Sequence, residues 1–180
     1  MNTKIQRTIK YALAAVLTAA GFSAMAQPKA SYQVIPLPNS IVSNQGEPFV
    51  LQQGVSIRCD AALQTEAQLL AQYIKQSTGI TVELDGKGTP IVLHASLSHA
   101  NREAYRLTVC ADSIVINGAS AAGTFRGITT LRKSLPQSPS QQVAMPAVTI
   151  NDAPRFAYRG MMFDVSRHFY GVDEVKQFID

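Results

Sequence analysis

The residues best suited to chemistry crowd into the last thirty positions of a 180-residue chain. Arg155, Arg159, Asp164, Arg167 and His168 lie in and around a near-continuous apolar run, Tyr158-Arg-Gly-Met-Met-Phe-Asp164, and the adjacent acids Asp173-Glu174 follow. An arginine offers five N–H donors in a rigid planar fork, which can bracket two neighbouring hydroxyls or grip a carboxylate. Asp164, Arg167 and His168 stand together at the end of the run, where they can form the supporting shell of a ligand site or a structural salt-bridge cluster. Asp173-Glu174 resembles a catalytic acid pair, but it sits where a helix starts. Acids there complement free N–H groups and the helix dipole, so capping is the expected role. The preceding residues group no acids, nucleophiles or ligands into a site, and His94 and His99 lack a Cys or acidic ligand at metal-binding spacing.

These residues need a scaffold, and residues 27–150 read as one α+β domain: two helices against an antiparallel-rich sheet. Tyr32 to Ile35, residues 49–51 and residues 55–57 read as short extended pieces. Asp60 offers a helix N-cap, and Leu63, Ala67, Leu70 and Ile74 recur on one helical face that ends at Gly79, a natural left-handed terminator. Residues 80–84 and 91–93 read as strands. Tyr105, Leu107 and Val109 alternate, Ala111-Asp112 turns, and Ile114 and Ile116 resume the alternation, which predicts a hairpin. A second helix carries Phe125, Ile128, Leu131 and Leu135 and stops at Pro136. Its interior Gly123 and Gly127 cost about 1 kcal/mol each relative to Ala, which points to close approach to a sheet. Residues 136–146 read as a polar loop, and Asn151-Asp-Ala-Pro154 as a turn.

The apolar run 158–164 predicts a strand buried on both faces, as in a parallel sheet, and Asp173 opens a helix. That is the start of a βα unit. A lone βα unit cannot bury both faces of its strand, so the natural protein is expected to continue past residue 180. The length excludes a complete (β/α)8 barrel, which needs roughly 250 residues.

Composition narrows the class further. The chain is 46% hydrophobic with 11 Gly and 2 Cys, which excludes wholesale disorder, collagen and a disulfide scaffold. Lys4, Arg7 and Lys10 precede the uncharged apolar residues 11–22, and Ala24-Met-Ala26 supplies a cleavage pattern: a signal peptide over residues 1–26, hence export to periplasm or medium. About 12 apolar residues fall short of the ~20 that span a membrane. Three of the 16 basic residues and none of the acids lie in that leader, leaving 13 against 12. No electrostatic case remains for nucleic acid or an anionic membrane as partner. Cys59 and Cys110, at apparent strand ends, are either bridged in an oxidising compartment or two unpaired small buried residues.

The run Asp152-Ala-Pro-Arg155-Phe156-Ala-Tyr158-Arg159-Gly160-Met-Met-Phe-Asp164-Val-Ser-Arg167-His168-Phe169 resembles the opening of the catalytic barrel of family 20 glycoside hydrolases, the β-N-acetylhexosaminidases. Residues 105–109, 114–118 and 123–131 resemble the domain that precedes that barrel, with Lys133 in a stretch where the family often has Gln. The resemblance implies an exo-acting hydrolase removing terminal β-linked N-acetylglucosamine or N-acetylgalactosamine from glycans, with a (β/α)8 TIM barrel beginning at residue 151. It also implies the substrate-assisted retaining mechanism, in which the sugar's own acetamido oxygen is the nucleophile, with no metal or cofactor. The resemblance makes Arg159 the substrate-binding residue, Asp164, Arg167 and His168 its supporting shell, and Arg155 a bridge between domains. It places the catalytic Asp-Glu pair beyond residue 180, so residues 27–180 alone are expected to be inactive. The competing expectation is a non-catalytic accessory domain that binds carbohydrate or supports a neighbour.

Overall fold

The structure is a computed structural model and describes residues 27–179. The leader expectation for residues 1–26 lies outside the described residues. Nine strands are described: β1 Ser40–Ser43, β2 Phe49–Gln52, β3 Ser56–Cys59, β4 Glu83–Leu84, β5 Pro90–His94, β6 Tyr105–Cys110, β7 Ser113–Gly118, β8 Gln142–Met145 and β9 Val148–Asp152. The α-helices are α1 Gln64–Thr78, preceded by a 3-10 turn at Ala61–Leu63, α2 Ala121–Ser134 and α3 Val172–Ile179. Seven strands form one sheet in the order β1-β9-β6-β7-β5-β3-β4, and β2 pairs with β8 in a separate ribbon.

Among the described strands, antiparallel pairings outnumber parallel ones four to three. The hairpin lies where the alternation predicts it, with Tyr105 opposite Gly118 and Cys110 opposite Ser113. Its Tyr105, Leu107, Val109, Ile114 and Ile116 enter the core with Leu70, Ile74, Ile128 and Leu131 from the helices. Both helices therefore lie on one face of the sheet, α1 against β3 and α2 against β6 and β7.

Local chemistry explains the helix limits. Gly79 terminates α1 at φ 78°, returning its N–H to the Lys75 carbonyl. The Ser120 side chain caps α2 by accepting from Gly123. The two α2 glycines do permit close packing. A Cβ on Gly127 would lie 2.5 Å from Ile116 Cγ2, and one on Gly123 would lie 2.3 Å from the Ala104 carbonyl oxygen.

Several expectations need correction. Asp60 makes no capping bond. Its carboxylate instead takes His94 Nδ1 at 2.9 Å and the Ala95 N–H at 3.1 Å, joining the ends of β3 and β5. Residues 32–35, read as an extended piece running into Pro36 and Pro38, pair with no described strand. The strand expected over 80–84 contracts to Glu83–Leu84. Part of the expected polar loop is strand β8, whose Val143 and Met145 are buried opposite Leu51 and Phe49. The expected turn at 151–154 begins in strand, since β9 runs through Asp152, opposite Tyr105. Cys59 and Cys110 are both free thiols, as in the unpaired reading, but Cys59 is half-buried and Cys110 exposed rather than both buried.

The largest difference concerns residues 158–164, which are not a strand in the structure. Tyr158, Met161 and Met162 are 89%, 76% and 86% exposed. A buried parallel strand requires neighbours on both edges for its backbone groups, and no described strand pairs with this segment. Only Phe163 finds apolar cover, with its ring 4.6 Å from Phe178 of α3 and 4.7 Å from Tyr170.

Candidate functional site

The segment after β9 leaves the first domain beside α2, and a cleft of about 420 Å³ opens between them. Val34, Pro36 and Phe156 give it an apolar lining, while Arg126, Lys133 and Arg159 bring cations. The departing chain is tied stepwise. Asn39 donates its backbone N–H to Asp152 Oδ1 at 3.1 Å and its side-chain amide to the Ala153 carbonyl at 2.9 Å. Asn101 donates to the Pro154 carbonyl at 3.0 Å.

Arg159 forms the next tie. One of its terminal nitrogens, Nη2, donates to both oxygens of Glu103 at 2.8 Å, and Nη1 donates to the Phe156 carbonyl. The same Glu103 carboxylate accepts from Arg126 of α2, at 2.9 Å from Nε and 2.6 Å from Nη2. Arg159 first and Arg126 second hold this carboxyl below the usual range for glutamate. Tyr105 closes the floor, its hydroxyl 2.7 Å from Thr130 Oγ1, and burial raises the phenol to about 12.

The other expected site residues lie apart from Arg159. Asp164 pairs with Arg167 Nε at 2.8 Å and also accepts the N–H groups of Ser166 and Arg167. Arg167 is 87% exposed, leaving its terminal nitrogens to solvent. His168 is exposed beside it. Arg155 sits on the cleft rim, and the link between the two regions is made by Arg159. Asp173 and Glu174 both lie in the first turn of α3, and Glu174 makes the capping contact, its Oε2 accepting the Gly171 N–H at 2.6 Å.

Glu103 and Arg126 were not legible as functional residues. Arg102-Glu-Ala104 reads as an ordinary polar loop, and only the fold brings it against Arg159. Among the described residues no group of three or more His, Cys, Asp or Glu is placed to hold a metal ion. No described helix is long and apolar enough to cross a membrane.

A sheet-and-helix domain thus delivers a short segment rich in charged and aromatic residues, and comparison with known proteins identifies this arrangement. The profile of glycosyl hydrolase family 20, domain 2, matches residues 31–153, and that of the glycosyl hydrolase family 20 catalytic domain matches residues 156–180. The chain belongs to glycosyl hydrolase family 20. It is 36% identical over 154 residues to a β-N-acetylhexosaminidase of Cellulomonas fimi, covering 81% of this chain and 31% of that protein. The structure of the family 20 β-N-acetylhexosaminidase of Streptomyces coelicolor superposes with a TM-score of 0.68 at 35% identity, covering 81% of this chain and 31% of that one. A mutant Streptomyces plicatus β-hexosaminidase in complex with its product GlcNAc superposes at 0.65, also at 35% identity, with the same shares covered. The chain spans about a third or less of the length of these relatives.

Proposed function

We propose that this chain forms the front of an exported, exo-acting β-N-acetylhexosaminidase that releases terminal β-linked N-acetylglucosamine or N-acetylgalactosamine from glycans. One observation carries the reading: most of the charged run 152–169 falls within the match to the family's catalytic domain, which covers residues 156–180. The names of the relatives support it. In this reading the acetamido oxygen of the substrate attacks the anomeric carbon. One carboxylic acid protonates the leaving oxygen, and a neighbouring carboxylate orients the acetamido group. Both acids belong to parts of the catalytic domain outside residues 156–180, and the (β/α)8 barrel is likewise part of the proposal.

Two arginines are candidates for the sugar hydroxyls. The resemblance favours Arg159, yet its terminal nitrogens are already engaged by Glu103 and Phe156. Arg167 lies at the far end of the apolar run, and barrel sites form at the C-terminal ends of strands. Its Nε is oriented by Asp164, and its side chain is 87% exposed with no further hydrogen bond among the described residues. We therefore assign the sugar contact to Arg167, with Asp164 orienting it, and place Arg159 at the domain junction.

The test compares Arg159→Lys and Arg167→Lys in the full-length gene product. A lysine keeps the charge but not the fork. Losing one or two charge-assisted hydrogen bonds to a sugar lowers kcat/KM by about ten-fold to thousands-fold. That loss is expected in Arg167→Lys at unchanged melting temperature. A kcat/KM defect confined to Arg159→Lys would return the sugar contact to Arg159.

A further inference from the structure

Glu103 holds Arg159 from a loop that is itself fixed. Asn101 Oδ1 accepts the Glu103 N–H at 2.8 Å, and the Ala104 N–H returns to the Asn101 carbonyl at 3.1 Å. Ser120, the cap of α2, donates to the Arg102 carbonyl at 2.7 Å. The Ala104 carbonyl lies so close to Gly123 that no larger residue fits between them. Arg126, one turn further along α2, grips the carboxylate itself. Both the backbone and the carboxylate of Glu103 are therefore set by α2 before Arg159 arrives.

The hydrogen-bonded ties from the first domain fall at Asp152, Ala153, Pro154 and Arg159. Beyond Arg159 the described side-chain bonds are internal to the segment: Asp164 to residues 166 and 167, and Glu174 to Gly171. Arg159 is thus the last point at which the first domain grips the chain that carries Asp164 and Arg167. Exposed ion pairs are ordinarily worth little, but a doubly engaged carboxylate on a preorganised loop is the geometry in which they count.

We infer that Glu103 is a positioning residue: braced by Arg126 and the first turn of α2, it clasps Arg159 and sets where the catalytic segment leaves the first domain. The consequence for Asp164 and Arg167 rests on the functional reading above. The clasp itself does not.

The experiment is limited digestion of the chain with trypsin, which cleaves after arginine, with cleavage after Arg159 and Arg167 quantified by mass spectrometry. Arg167 is the internal control because it is exposed. In the wild type, cleavage after Arg159 is expected to be about ten-fold slower than after Arg167, because Glu103 ties Arg159 to the first domain whereas Asp164 ties Arg167 only within its own segment, a difference of about one charge-assisted hydrogen bond. Glu103→Gln removes most of that difference without changing cleavage after Arg167 or the melting temperature. Glu103→Asp, which keeps the charge, retains part of the protection. If Glu103→Gln lowers the melting temperature, Arg126→Gln is the deciding variant, since it frees the carboxylate from its brace and is expected to give intermediate protection. Equal cleavage at the two arginines in the wild type, or an Arg159 rate indifferent to Glu103 and Arg126, would overturn the inference. No step uses turnover, so the clasp and the hexosaminidase reading can fail independently.

Discussion

Replacing Gly123 by alanine sets two physical effects against each other. Helix propensity alone favours the change by about 1 kcal/mol, because Gly123 lies inside α2. Packing opposes it. An added Cβ would sit 2.3 Å from the Ala104 carbonyl oxygen, 3.1 Å from the Arg102 carbonyl oxygen and 3.3 Å from the Ala104 carbonyl carbon. Ordinary contact begins at 3.4 Å, so helix and loop must part by about 1 Å. Every atom met is backbone, and none can turn aside as a side chain would. Overpacking of this kind costs about 1–3 kcal/mol, and the rigid neighbours place it in the upper part of that range. The net expectation is destabilisation by about 1–2 kcal/mol, or about 3–12 °C in melting temperature for a domain of this size. Gly127→Ala is the comparison, since its closest obstacle is a side-chain methyl, Ile116 Cγ2, rather than backbone, and its loss is expected to be smaller. Thermal unfolding followed by circular dichroism reads both variants. An unchanged or raised melting temperature in Gly123→Ala would refute the claim that the glycine exists for close approach.

Other outcomes follow from individual side chains. Tyr105→Phe removes the buried hydroxyl bonded to Thr130 and is expected to cost about 1 kcal/mol, read from the denaturant midpoint. Asp60 is held below the usual aspartate range, chiefly by its bond to His94 and then by the Ala95 N–H. A depressed carboxyl contributes stability above its unfolded pKa and loses it as pH falls through the folded value. The melting temperature is therefore expected to fall progressively below about pH 4, and less steeply in Asp60→Asn. Iodoacetamide at mildly alkaline pH is expected to modify Cys110 before Cys59. Cys110 is exposed, whereas burial, and then Asp85, Asp60 and Glu66, push the Cys59 thiol up; equal rates would contradict this.

What could be read from the sequence was what local chemistry decides. The alternation of Tyr105 to Ile116, the left-handed stop at Gly79 and the paired glycines of α2 each specify their own geometry. Strands β1, β8 and β9 are short, and they exist because a partner aligns them. Gln142–Met145, embedded among polar residues, becomes strand only opposite Phe49–Gln52. The converse applies to residues 158–164, whose composition suits a buried strand but whose backbone has no described partner. The candidate site divides in the same way. Arg159, Asp164 and Arg167 are visible in a contiguous run, whereas Glu103 stands 56 positions before Arg159 and acquires its role only when α2 fixes its loop.

In the proposed function the acetamido oxygen of the substrate is the nucleophile, so activity depends on the acetamido group. The most direct measurement is turnover by the full-length gene product of two chromogenic substrates, a β-N-acetylglucosaminide and the corresponding β-glucoside, which differ at the acetamido group. Hydrolysis of the first and none of the second above a no-enzyme blank is expected. Comparable turnover of the β-glucoside, or no turnover of either, would contradict it.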